Sequence, residues 1–140
     1  SRGAPLMVLD TSAFLALLFN EPEADDVEIA IDADPVRLVS AASWLEAAIV
    51  VETRLGAAGS RELDLLMHQT GIDRVPVSSE QIDVARDGWR RFGRGRHEAA
   101  LNFGDCFAYA LSVTSGEPLL FKGTDFAKTD VQRVVPGAAE

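Results

Sequence analysis

Cysteine occurs once in this chain of 140 residues, at Cys106. An internal disulfide is therefore excluded, and a reducing cytoplasm is the expected home. Long apolar runs are missing, and no stretch approaches the roughly 18 to 20 residues that a membrane span needs. No basic lead runs into an apolar stretch and a small-residue cleavage site, so no secretory leader is expected. Histidine is scarce: His68 and His97 both sit in polar segments, which argues against histidine catalysis. A glycine-rich phosphate loop is also lacking, because "FGRGRHE" has neither the Lys-Ser/Thr pair nor a strand before it. Positive charge is in deficit, with 13 Lys and Arg against 22 Asp and Glu and a formal net charge of −9. That balance argues against a general nucleic-acid binder, which meets phosphate with cations. It does not exclude an enzyme whose acidic site is filled by metal ions.

The composition is that of a soluble globular domain, 47% hydrophobic and 25% charged, and the length suits one domain with a real core. Residues 1–6, "SRGAPL", are expected to be a leader, partly a cloning remnant, because Met7 stands just before the first strand; residues 7–140 are then a single domain. "LMVLD" (Leu6–Asp10) reads as a buried strand. "TSAFLALLF" follows as a helix apolar on nearly every side, which predicts cover on two faces, one of them by another subunit or partner. "PEADDVEIAIDA" is a second helix with Pro22 at its start. "PVRLVS" (Pro35–Ser40) is the second strand. "SWLEAAIVVETRLG" is a helix closed by Gly56, and "SRELDLLMHQTG" is another. "DRVPVS" is a short strand. In "SSEQIDVARDGWRRFG" the apolar residues Ile82, Ala85, Trp89 and Phe92 fall at helical steps. The next helix starts near Asp105 in "LNFGDCFAYALS". "LLF" is a strand, "KGTDF" a turn, and "RVV" in the tail a candidate edge strand. Strands alternating with helices define the α/β class, with a parallel sheet covered on both faces.

Ligands of such sheets bind beyond the carboxyl ends of the strands. Asp10 closes the first strand, Glu46 follows the second, and Asp125 follows "LLF". The helix headed by Asp105 runs antiparallel to the strand it feeds, so its N-terminus reaches the same edge. Each acid has a structural reading as well. Asp10 can cap the helix after it. Ser43 and Glu46 match a capping box. Asp105 sits in a helix first turn, where the dipole favours it, and Asp125 lies in a turn. Together, however, carboxylates about 4 Å apart repel by about 4 kcal/mol at an effective dielectric of 20. Such a cluster either protonates or holds a divalent cation, and hard oxygen ligands suit Mg²⁺ or Mn²⁺. Arg86, Arg90, Arg91, Arg94 and Arg96, near Trp89 and Phe92, read either as a solvated face or as contacts to a phosphate backbone.

At these residues the sequence resembles the PIN-domain ribonucleases. "MVLDTSAF", the Glu of "SWLEAA", "LNFGDCFAYALS" and "PLLFKGTDFAKTD" are most similar to the VapC-type toxins of bacterial toxin–antitoxin pairs. The resemblance implies a three-layer α/β/α sandwich around a short, mostly parallel sheet of about four or five strands. It implies a Mg²⁺- or Mn²⁺-dependent endoribonuclease in which Asp10, Glu46, Asp105 and Asp125 are the catalytic and metal-holding acids. Thr11 or Ser12 and, more weakly, Asp130 would support the site. A cation held this way activates water against a phosphodiester bond. The resemblance further implies an RNA substrate, a VapB-type antitoxin partner and a homodimer, or a higher hetero-oligomer with the antitoxin. The dimer also accords with the apolar helix at residues 11–19 and with bulky Trp44 and Ile49. Thr124 departs from the family, where many relatives have another polar or acidic residue. The rival readings are a phosphoacceptor receiver-like domain, with Lys122 in the role of its late lysine, an aspartyl-nucleophile phosphatase, and a PIN-like RNA-binding module without catalysis.

Overall fold

A computed structural model of the chain describes residues 6–134. The tail beyond, and the expected leader up to residue 5, lie outside the described residues; Leu6 already belongs to a strand. The elements run β1 (Leu6–Leu9), α1 (Thr11–Leu18), α2 (Ala24–Ala33), β2 (Val36–Ser40), α3 (Ala41–Thr70), β3 (Ile72–Val75), α4 (Ser79–Phe92), α5 (Phe103–Ser115) and β4 (Leu119–Leu120), with a 3₁₀ turn at Phe126–Lys128. The strands form one parallel sheet in the order β3-β2-β1-β4. In the tail, Arg133 makes a parallel bridge to Leu119, which places the expected edge segment beside β4; Val135 lies outside the described residues.

Strand β1 shows why the fold has three layers. Met7, Val8 and Leu9 are all fully buried, but they alternate between faces. Met7 and Leu9 join Phe14, Ile31, Val51 and Leu63 in a core under α1, α2 and α3. Val8 joins Leu101, Tyr109, Leu111 and Phe121 in a second core under α4 and α5. Each such side chain stabilises the fold by about 1.5–3 kcal/mol. Among the described residues, no helix is long and apolar enough to cross a membrane.

Three expectations change. The helix after β2 begins at Ala41, capped by Ser40, whose hydroxyl accepts from the Ala42 N–H at 3.3 Å. Ser43 is therefore inside the helix and buried, and the Ser43–Glu46 capping box does not form. The chain kinks at Gly56 (φ 68°) and resumes as helix at once, instead of ending there. Helix α1 needs no second subunit for cover: α2 and α3 pack on it, and none of its residues is exposed. Trp44 is likewise half-buried, with the Arg74 guanidinium 4.5 Å from its ring centre.

Helix α4 forms as its spacing predicts, but its buried face is rotated to Gln81, Ala85 and Gly88, leaving Ile82 and Trp89 largely exposed. The cause is Gly88, where a Cβ would lie 2.6 Å from two ring carbons of Tyr109. The missing side chain lets α4 settle onto α5. Gly88→Ala is therefore expected to lower stability by about 1–2 kcal/mol, an overpacking cost exceeding the helix-propensity gain. Urea unfolding of the two proteins checks this, and an alanine variant as stable as the parent would refute it.

Candidate functional site

The strand order changes direction between β1 and β4, and the crevice beyond their carboxyl ends is where an open α/β sheet receives ligands. Asp10 leaves β1 into this crevice. Its N–H donates to Leu120 O at 3.0 Å, tying it to β4. Its Oδ2 accepts from the Ser12 N–H at 2.9 Å, so it does cap α1. Only 4% of Asp10 is exposed, and burial pushes its carboxyl up to about 6, against the pull of its Ser12 bonds. The charges of Asp105 and Glu46 push the same way. A cap needs no such burial, and a surface cap would keep its ordinary acidity.

Glu46 stands on α3. The Thr11 hydroxyl, buried at the start of α1, lies 2.9 Å from Glu46 Oε1 and 3.0 Å from Ser43 O. A hydroxyl has one proton to donate. The glutamate is the acceptor of greater charge and the stronger partner. Asp105 lies in the first turn of α5 and forms a reciprocal capping box: its N–H donates to Asn102 Oδ1 at 2.9 Å, and its Oδ2 accepts from the Asn102 N–H at 3.0 Å. Burial raises its carboxyl, the Asn102 bond lowers it, Glu46 and Asp125 raise it, and Arg94 lowers it. Asp125 occupies the cap position of the 3₁₀ turn without making a side-chain capping bond, and it is exposed. Asp105 thus feels the charges of Glu46 and Asp125, and Asp10 those of Asp105 and Glu46, so Asp105 links the four acids along one rim.

Among the described residues, no three His, Cys, Asp or Glu side chains stand as a ready-made cage for a metal. The donor chemistry nonetheless suits a hard divalent cation. Every nearby acidic donor is a carboxylate, and burial keeps two of them from ionising at their ordinary acidity. Asp10 and Asp105 are each fixed through one oxygen by a backbone N–H, which orients a carboxylate with some four acceptor positions.

Ser12 serves as a strut. Its hydroxyl accepts from the Lys122 N–H at 2.9 Å, joining the start of α1 to the segment after β4. Lys122 itself turns away, with its ammonium 3.1 Å from Glu21 and 3.9 Å from Glu23. It does not take the role of a receiver-domain lysine, and the sheet order also differs from the 2-1-3-4-5 arrangement of that class. Asp130 is drawn to another cluster: Tyr109 Oη donates to its Oδ1 at 2.9 Å, and Arg91 Nη2 to its Oδ2 at 3.1 Å. It ties the tail to α4 and α5.

The arginines separate as well. Arg91 is engaged by Asp130 and Asp87, and Arg96 stacks on Trp89 at 4.4 Å. Arg86 edges an apolar hollow with Trp89 and Phe103. The charge of Arg94 bears on Asp105, and its N–H donates to Leu101 O beside Asn102. Arg90 is exposed on α4.

The PIN-domain family model matches residues 7–132, and the chain belongs to that family. The ribonuclease VapC30 of Mycobacterium tuberculosis is 53% identical over 128 residues, covering 91% of this chain and 98% of its own. A ribonuclease VapC of Mycolicibacterium smegmatis is 55% identical over 128 residues, covering 91% and 99%. The crystal structure of M. tuberculosis VapC20, a sarcin–ricin loop cleaving toxin, superposes with a TM-score of 0.77 at 17% identity, covering 93% of this chain and 99% of that one. A toxin–antitoxin complex from Klebsiella pneumoniae gives 0.66 at 17% identity, covering 89% and 92%. At those identities the structural likeness speaks for the fold, which is the three-layer α/β/α sandwich.

Proposed function

We propose that this chain is a VapC-type endoribonuclease, the toxin of a toxin–antitoxin pair, which hydrolyses RNA with Mg²⁺ or Mn²⁺. The observation that carries the reading is Asp10: a carboxyl buried at the carboxyl edge of the sheet, raised to about 6 and facing two further acids. The high identity to VapC ribonucleases over nearly the whole chain supports it. Asp10 and Asp105 would hold the cation, with Glu46 and Asp125 completing its surroundings directly or through water. A cation there lowers the pKa of water and offsets charge on the phosphate. The protein's own part is orientation. Glu46, pinned by Thr11, is placed to align the attacking water or take its proton. Ser12 and Lys122 keep α1 and the β4 segment in register beneath it.

The test is incubation with total cellular RNA and Mg²⁺ or Mn²⁺, mapping new ends against an Asp10→Ala control. Metal-dependent cuts absent from the control are expected; identical patterns would reject the reading. Arg94 is assigned to the RNA backbone. Arg94→Ala is expected to weaken RNA binding and flatten its salt dependence by about one phosphate contact. An unchanged slope would return Arg94 to the plain surface.

A homodimer accords with the apolar strip beside the site, where Leu45 is 54%, Ile49 57% and Phe103 81% exposed around a hollow of about 440 Å³. A VapB-type antitoxin in the cytoplasm is the partner that the kinship implies.

A further inference from the structure

Gly104 lies in the first turn of α5, directly before Asp105. Its backbone is not in the left-handed region, so no turn demands a glycine there. In a helix, glycine is less favourable than alanine. Space gives the reason for its presence. A Cβ at this position would lie 2.4 Å from Glu46 Oε1, 2.7 Å from Oε2 and 2.8 Å from Cδ. The comparable positions at Gly59, Gly88 and Gly93 abut Leu55, Tyr109 and Trp89. Among the described residues, only Gly104 has a carboxylate in the place of its missing side chain.

We propose that Gly104 is a positioning residue: its bare Cα and the Thr11 hydroxyl form the two jaws that hold the Glu46 carboxylate beside Asp105 and Asp10. The Thr11 jaw is a bond of 2.9 Å on Oε1. The Gly104 jaw is steric, a surface close enough that the carboxylate rests where a methyl would be. Glutamate is a long and rotatable arm, and its carboxylate is the part a methyl would meet. A side chain at 104 therefore evicts Glu46 and leaves the helix in place. Gly104 touches no substrate; it acts through Glu46. The kinetic part of this inference rests on the ribonuclease reading, and the structural part does not.

The experiment compares Gly104→Ala, Glu46→Ala, the double variant, and Gly104→Ala with Glu46→Asp, in the full chain. Three readouts are taken: crystal structures without metal, Mn²⁺ affinity by calorimetry, and kcat and KM on a mapped RNA. In Gly104→Ala the carboxylate is expected to leave Thr11, with Tm within a few degrees of the parent. Mn²⁺ affinity is expected to fall about tenfold, and kcat by about 10²-fold with KM little changed. In the Glu46→Ala background Gly104→Ala is expected to be silent, because no carboxylate remains to be moved. The shorter Glu46→Asp arm is expected to restore at least part of what Gly104→Ala loses. Glu46 unmoved in the Gly104→Ala crystal, or a loss that adds in full to that of Glu46→Ala, would overturn the proposal. A parent protein that cuts no RNA would remove the ribonuclease reading, while the crystal structures would still decide whether Gly104 holds Glu46.

Discussion

Asp105→Asn is expected to reduce metal-dependent RNA cleavage by about 10²–10⁴-fold, the range that loss of a charged group acting on the reaction commonly produces. At 1.36 kcal/mol per tenfold, that is about 3–5 kcal/mol of lost transition-state stabilisation. The substitution isolates charge from shape. Asparagine at the third position of α5 still offers an oxygen to the Asn102 N–H, and its own N–H still donates to Asn102, so the capping box survives. The fold should therefore stay within about 1 kcal/mol of the parent, in line with the worth of one cap. What disappears is a carboxylate whose acidity is already bent by burial, Glu46 and Asp125. Single-turnover cleavage of an end-labelled RNA measures the effect, with Asp130→Asn beside it. Asp130 bonds Tyr109 and Arg91, so its asparagine variant should lose no more than about tenfold. Equal losses in the two variants would mean that the acid rim is not the catalytic unit. Normal turnover by Asp105→Asn would remove Asp105 from the mechanism.

The contrast between those two aspartates shows how far the sequence alone can be read. Element order was legible because apolar periodicity is local: the run at β1, the spacing in α4 and the cap at Asp10 all lie within a few residues of what they determine. The gathering of acids on one rim was legible because a parallel sheet with helical crossovers allows little else. Long-range pairing was not. Asp130 finds Arg91 across 39 residues, and nothing local marks the partner. Apolar spacing marks α4 as a helix but not its buried face, because Gly88 permits contact with Tyr109 while Ile82 and Trp89 stay exposed. Cover for α1 from within the chain is hard to read locally, because the apolar face of α2, carrying Val27, Ala30 and Ile31, is interrupted by acids. The Ser40 cap is hidden in the sequence because β2 passes into α3 with no loop between them. Gly104 did leave a trace: a glycine in a helix first turn with no turn to make.

Asp10→Asn is expected to stabilise the metal-free protein at neutral pH while destroying its activity. Burial raises the Asp10 carboxyl from its ordinary 3.8 to about 6. At about 1.4 kcal/mol per tenfold change in proton affinity, the charged form weakens the fold by about 3 kcal/mol. The direction follows from proton counting. Between about pH 4 and pH 6 the folded chain holds the Asp10 proton more firmly than the unfolded chain, so stability falls as pH rises through that window. Below it the carboxyl is protonated in both states, and the penalty vanishes. Asparagine is neutral throughout and can still accept from the Ser12 N–H, so the variant should lose this part of the pH dependence. In EDTA at pH 7.5 it should unfold at higher urea than the parent, and near pH 4 the two should converge. Saturating Mg²⁺ or Mn²⁺ should then raise the parent and leave the variant nearly unmoved, because a ligand that binds only the folded state stabilises it by mass action. Should the variant be weaker than the parent at pH 7.5, the Asp10 charge would be stabilising where it sits. A dication would then not be needed to offset its burial, and the acid rim would be a structural feature.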